Sequence, residues 1–111
     1  MRESDFQSAL KKEIRKRFPG CYVLKADSAD IQGIPDLLIL YGDTWASLEV
    51  KKNEYEANKR PKDNQHYYVA DMNSMSFSSF IYPENKEEVL DDLARLFEKH
   101  SARKSRFVWS K

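Results

Sequence analysis

The chain has 111 residues and a mass of 13.1 kDa, room for one hydrophobic core and too little for two. Hydrophobic residues make up 41% and charged residues 33%, a balance that excludes a disordered tail and predicts a folded domain. Cys21 is the only cysteine, which excludes an intrachain disulfide and a multi-cysteine zinc centre. With 19 basic and 18 acidic residues the net charge is +1, so the overall field cannot by itself draw in a polyanion. No apolar run approaches the roughly 20 residues of a membrane-spanning helix, and residues 1–5 lack the apolar stretch of a secretory signal. The cytoplasm is the expected compartment.

Phe6, Leu10, Ile14 and Phe18 recur every four residues and predict a first helix. Ser4 is the expected cap, with Gln7 at capping-box spacing, and Pro19-Gly20 the stop. Residues 21–26 are short and apolar and read as a strand, followed by a polar loop over 28–33. Residues 34–41 contain four consecutive apolar side chains, Leu37 to Leu40, which suggests a strand covered on both faces. Gly42-Asp43 suits a type II′ hairpin turn, and residues 44–51 form the returning strand. There, alternation separates Ala46, Leu48 and Val50 from Trp45, Ser47, Glu49 and Lys51.

Residues 52–64 are polar and include Pro61, so a loop is expected. Asp63 is the expected cap of a helix running to Met75. Residues 77–82 are aromatic-rich and read as a strand ended by Pro83. Asn85 and Glu88 have capping-box spacing before an amphipathic helix carrying Val89, Leu90, Leu93, Leu96 and Phe97. The predicted architecture is α/β, a mixed sheet of about four strands flanked by helices in the order αβββαβα.

The predicted hairpin brings two acids together. If Gly42-Asp43 closes a two-residue turn, counting back pairs Tyr41 with Thr44 and, five steps further, Asp36 with Glu49. Opposed Cβ atoms in antiparallel strands lie about 4.5 to 5.5 Å apart, where like charges destabilise. A divalent cation bound by one or two carboxylates would offset that repulsion. Lys51 returns to the face of Glu49 about 6 to 7 Å along the strand. It can orient an attacking water or balance charge on a phosphoryl transition state, or simply neutralise Glu49.

Gly33-Ile34-Pro35-Asp36, then Glu49-Val50-Lys51 and Gln65 in the next helix, resemble the PD-(D/E)XK nuclease superfamily, most closely its virus-type replication-repair (VRR-NUC) branch. The resemblance implies a restriction-endonuclease-like core over residues 1–98 and a magnesium-dependent DNA endonuclease, with manganese able to substitute. It further implies that Asp36, Glu49 and the Val50 carbonyl hold the metal and that Lys51 assists the attacking water. Gln65 would position that lysine or a substrate phosphate. Glu3 matches a glutamate supporting the metal site, or else supplies favourable charge at a helix N-terminus. Stand-alone members of the branch resemble Holliday junction resolvases, which implies a homodimer on branched or structured DNA, and the virus-type resemblance with the small size implies a bacteriophage origin. A sequence-specific restriction-type nuclease and a non-catalytic nucleic-acid-binding module of the same fold are the alternatives.

The remaining features carry less chemistry. His66 and His100 are too few and too separated for a histidine metal centre or a triad. Cys21 and Trp45 are expected to pack, and Tyr55 is a weak base-stacking candidate. Lys11, Lys12, Arg15, Lys16 and Arg17 form one basic cluster. Residues 99–111 form a second, a basic tail containing Phe107-Val108-Trp109. Both suit a nucleic-acid patch or a solvated surface. The aromatic run suits docking on the domain or on a second subunit.

Overall fold

A computed structural model describes residues 2–59 and 64–99. Helix α1 spans Glu3–Arg17 and buries Phe6, Leu10 and Ile14, the stripe expected from the four-residue spacing, with Phe18 buried at its end. Glu3 and Asp5 lie in its first turn and Arg15, Lys16 and Arg17 in its last, each complementing the helix dipole. Ser4 is not the cap. The helix starts two residues earlier than a Ser4 cap would set it, with Arg2 as N-cap and no side-chain cap bond. The Arg2 carbonyl accepts from the amides of Asp5 and Phe6, both at 3.1 Å, which places Ser4 inside the first turn.

The sheet contains β1 (Tyr22–Lys25), β2 (Leu37–Tyr41), β3 (Thr44–Val50) and β4 (Ser78–Ile81), in the spatial order β1-β2-β3-β4. The first two pairings are antiparallel and the third is parallel, so the sheet is mixed. Parallel pairing of β3 with β4 requires a crossover, which α3 (Gln65–Met75) makes. Helix α4 (Lys86–Lys99) closes the domain. The expected order therefore holds with one addition, α2 (Glu54–Asn58), inside the segment expected to be loop. Its polar composition hides it. Asn53 caps it, its side chain accepting from the Glu56 amide at 2.9 Å.

The two faces of the sheet differ. Leu37, Ile39, Ala46, Leu48 and Val50 are fully buried on one, in a core shared with Leu10 and Ile14 of α1 and Leu90, Leu93 and Phe97 of α4. Truncating such a side chain removes transfer energy and leaves a cavity. Leu93→Ala is expected to cost about 2–5 kcal/mol. The measurement is a lowered urea midpoint with an unchanged slope. The other face is covered by α3 over β3 and β4, where the Ser47 and Ser78 hydroxyls meet at 2.7 Å and Ser47 lies against the Met72 sulfur.

Several boundaries differ from the sequence reading for identifiable reasons. β2 begins at Leu37 instead of residue 34, because Pro35 has no amide hydrogen for a ladder. The Asp36 carbonyl still accepts from the Ala26 amide at 2.8 Å, extending the pairing one step. Gly42 has φ +61°, as the first central position of a type II′ turn requires, and among the described residues only glycines have positive φ. Asn85 does not form the expected capping box. Its side chain accepts from the Tyr82 amide and donates to the Phe80 carbonyl, tying the end of β4 to the start of α4. The expected cap Asp63 and the tail from residue 100 onward lie outside the described residues.

Candidate active site

Leu37 pairs with Leu48, and one further step sets Asp36 opposite Glu49. The Asp36 Oδ2 accepts from the Val50 amide at 2.9 Å, which holds its carboxyl over β3. Glu49 is only 3% exposed. Lys51 continues past β3, its amide donating to the Ile81 carbonyl at 2.9 Å, so β4 fixes its backbone. The Lys51 Nζ lies 3.8 Å from Glu49 Oε2 and donates to Gln65 Oε1 at 2.6 Å. Gln65 is the first residue of α3, so the crossover helix delivers this acceptor to the end of the hairpin. Asp36, Glu49 and Gln65, with Ser28, Gln32 and Gly33, line a cavity of about 470 Å³.

Burial pushes the Asp36 carboxyl above its ordinary value of 3.8, against the pull of the Val50 amide, the Lys51 and Lys25 ammonium groups and a hydrogen bond with the Glu49 carboxyl. Glu3 is also raised, first by burial and then by the charge of Asp36. Asp36 and Glu3 therefore sense each other, with Lys51 and Lys52 opposing. Among the described residues, however, no group of three or more His, Cys, Asp or Glu side chains could hold one ion. Glu3 thus stands as an electrostatic neighbour at the entrance of α1 and does not complete a three-carboxylate set here.

The donor chemistry fits magnesium. Asp36 and Glu49 offer hard carboxylate oxygens side by side, the donor type that a divalent cation such as magnesium takes. In an extended strand the amide and carbonyl of one residue point to the same edge. The Val50 amide reaches Asp36, so the Val50 carbonyl is directed to the same side. Neither imidazole nor thiol competes: His66 sits against Phe80 and the Lys59 carbonyl, and Cys21 touches the Ile14 carbonyl. His100 lies outside the described residues.

Gly33 has a role that the sequence pattern carries without explaining. Its φ is +92°, and a Cβ there would lie 2.8 Å from the Asn64 backbone nitrogen and 3.1 Å from the Asn64 carbonyl carbon. Only glycine lets the loop before Asp36 press against the start of α3, where Gln65 begins. Gly33→Ala is expected to destabilise the protein by about 1–3 kcal/mol through strain and overlap with backbone. Thermal unfolding measures that loss. Lys25, Lys52, Ser28 and Gln32 carry no sequence signal of their own, because only the fold brings β1 and the 27–33 loop to this site. Tyr55, the weak stacking candidate, is 70% exposed and has the Lys59 ammonium 4.8 Å from its ring centre.

Compared with known proteins, the chain matches no family model, no curated protein and no solved structure.

Proposed function

We propose that this protein is a metal-dependent nuclease of the PD-(D/E)XK type, hydrolysing phosphodiester bonds in DNA. One observation carries the reading: opposed Asp36 and Glu49 carboxyls share the end of a hairpin with Lys51, whose ammonium group Gln65 fixes. A purely structural ion pair needs neither the second carboxyl nor the buried setting, which burdens Asp36 with desolvation. Natural proteins tolerate such costs mainly at functional sites.

In this reading Asp36, Glu49 and the Val50 carbonyl hold magnesium, which supplies Lewis-acid charge to the scissile phosphate when bound. The Lys51 ammonium places N–H donors and a positive charge where negative charge develops on the phosphoryl oxygens. Gln65 limits the rotamers of Lys51, so little reorganisation accompanies the reaction. The polar cavity beside Asp36, bounded by Ser28 and Gln32, receives the phosphate backbone. Branched DNA is the proposed substrate and a homodimer the proposed acting form, since cutting two strands uses two such sites.

The test is an end-labelled four-way junction beside linear duplex and single strand of the same sequence, with magnesium or with chelator. Magnesium-dependent cleavage favouring the junction is expected. Cleavage of the linear duplex at a fixed sequence would point to the restriction-type alternative. Salt-sensitive binding with no product in magnesium or manganese would leave only a binding module and end the nuclease reading.

A further inference from the structure

The sheet face that carries Asp36 and Glu49 also carries Leu38 and Leu40 from β2 and Trp45 from β3, because alternate side chains share a face. β1 extends this surface. Tyr22 pairs with Leu40 and Leu24 with Leu38, and these two are 70% and 46% exposed. Helix α3 shields only the β3 and β4 side, so its Met72 and Met75 become a wall of the uncovered region. Leu38, Leu40, Trp45, Met72 and Met75 enclose an open trough of about 330 Å³ with almost no polar lining. Contiguous apolar surface of this kind marks an interaction site.

We propose that Phe107-Val108-Trp109 of the same chain occupy this trough. Beyond Lys99, the last described residue of α4, these three are the only consecutive large apolar residues of the sequence, and they follow a strongly basic stretch. The last turn of α4 lies at the hairpin tip: the Phe97 ring is 5.0 Å from Tyr41 and 5.1 Å from Phe18, centre to centre. Tyr41 is the β2 residue next to the turn, and Leu40 and Trp45 form the adjoining pair on the opposite face. To reach the trough from Lys99, the chain would need to span from one face to the other around Gly42-Asp43, a layer-to-layer distance of about 10 Å. Eight residues from 99 to 107 reach about 26 Å at 3.3 Å each, which suffices.

A second copy of the chain is the rival occupant. A stable dimer interface engages roughly 20–30 residues on each side, whereas this trough presents a handful of side chains, a size matched to two aromatic rings and a valine. The docking requires no metal and does not depend on the nuclease reading.

The test uses the full chain with Trp45→Phe, leaving Trp109 as the sole tryptophan. Its emission is expected to be blue-shifted and its acrylamide quenching several-fold weaker than in the same chain carrying Leu40→Asp, with far-UV circular dichroism reporting the fold of both. A second measurement does not depend on that variant folding. Cys21→Ser, Met75→Cys and Val108→Cys are combined and oxidised at low protein concentration. An intrachain disulfide in a monomer is the expected product. Solvent-like emission from Trp109 with no intrachain link would overturn the proposal, and disulfide-linked dimers alone would overturn it in favour of a second copy.

Discussion

On the proposed nuclease function, Lys51→Ala is expected to slow magnesium-dependent cleavage of a four-way junction by about 10²- to 10³-fold, the usual cost of losing one group that stabilises transition-state charge. The Lys51 ammonium group sits 3.8 Å from Glu49 Oε2 and is held at 2.6 Å by Gln65, so its position is set before substrate arrives. Gln65→Ala leaves the ammonium in place but frees its rotamers, and a smaller loss of about 10- to 100-fold is expected, as for outer-shell groups that orient a reactive one. Single-turnover rates of the two variants, compared at saturating DNA, separate these effects. Wild-type rates from Lys51→Ala would remove the mechanism, whereas equal losses from both variants would mean that Gln65 touches substrate itself.

Replacing Asp36 by asparagine should stabilise the metal-free protein while abolishing the proposed cleavage. The folded state holds the Asp36 carboxyl proton more tightly than the unfolded chain does, because burial raises this group above its ordinary value of 3.8. As pH rises from that value through the folded-state value, the unfolded chain binds fewer protons than the native one, so stability falls; above both, the penalty is complete. The carboxamide of the Asp36→Asn variant does not titrate and can still accept from the Val50 amide. Its advantage is therefore absent in strong acid and full at neutral pH, of the size common for relieving a functional strain, about 0.5–2 kcal/mol. For a domain of this size each kcal/mol shifts the melting temperature by about 4–8 °C.

If the proposed metal site is real, magnesium is expected to reverse the comparison. Binding to the native state alone stabilises the wild type by about 2.7 kcal/mol at a hundredfold excess over the dissociation constant, and the Asp36→Asn variant, lacking a ligand, gains little. Melting curves of both proteins at neutral pH, with and without magnesium, test both halves. If magnesium raises both melting temperatures equally, the ion does not sit between Asp36 and Glu49.

The α1 stripe and the α4 stripe are legible because a helix face repeats close to every four residues whatever it packs against. The hairpin is equally legible: Gly42 tolerates the positive φ of its turn, and the turn sets the register that opposes Asp36 and Glu49. Helix α2 is not, since its five residues bury only Ala57 and so show no apolar stripe, whatever the Asn53 cap adds. The Ser4 and Asn85 caps mislead for a related reason. Both have the right neighbours in sequence, but the core fixes where α1 starts and β4 claims the Asn85 side chain.

By itself, then, the order of residues determined every element but α2, the hairpin register and the pairing of two acids with a lysine, all consequences of local periodicity and one glycine turn. Only tertiary structure decided that Gln65 would grip Lys51, that Gly33 would press on Asn64, that Glu3 would stand near Asp36 without joining it, and that α3 would leave part of the sheet uncovered. Those outcomes depend on where a crossover helix lands on a twisted sheet, and that position is set by the packing of distant side chains, Met72 on Ser47 and His66 on Phe80 among them. No window of neighbouring residues contains both partners of such contacts.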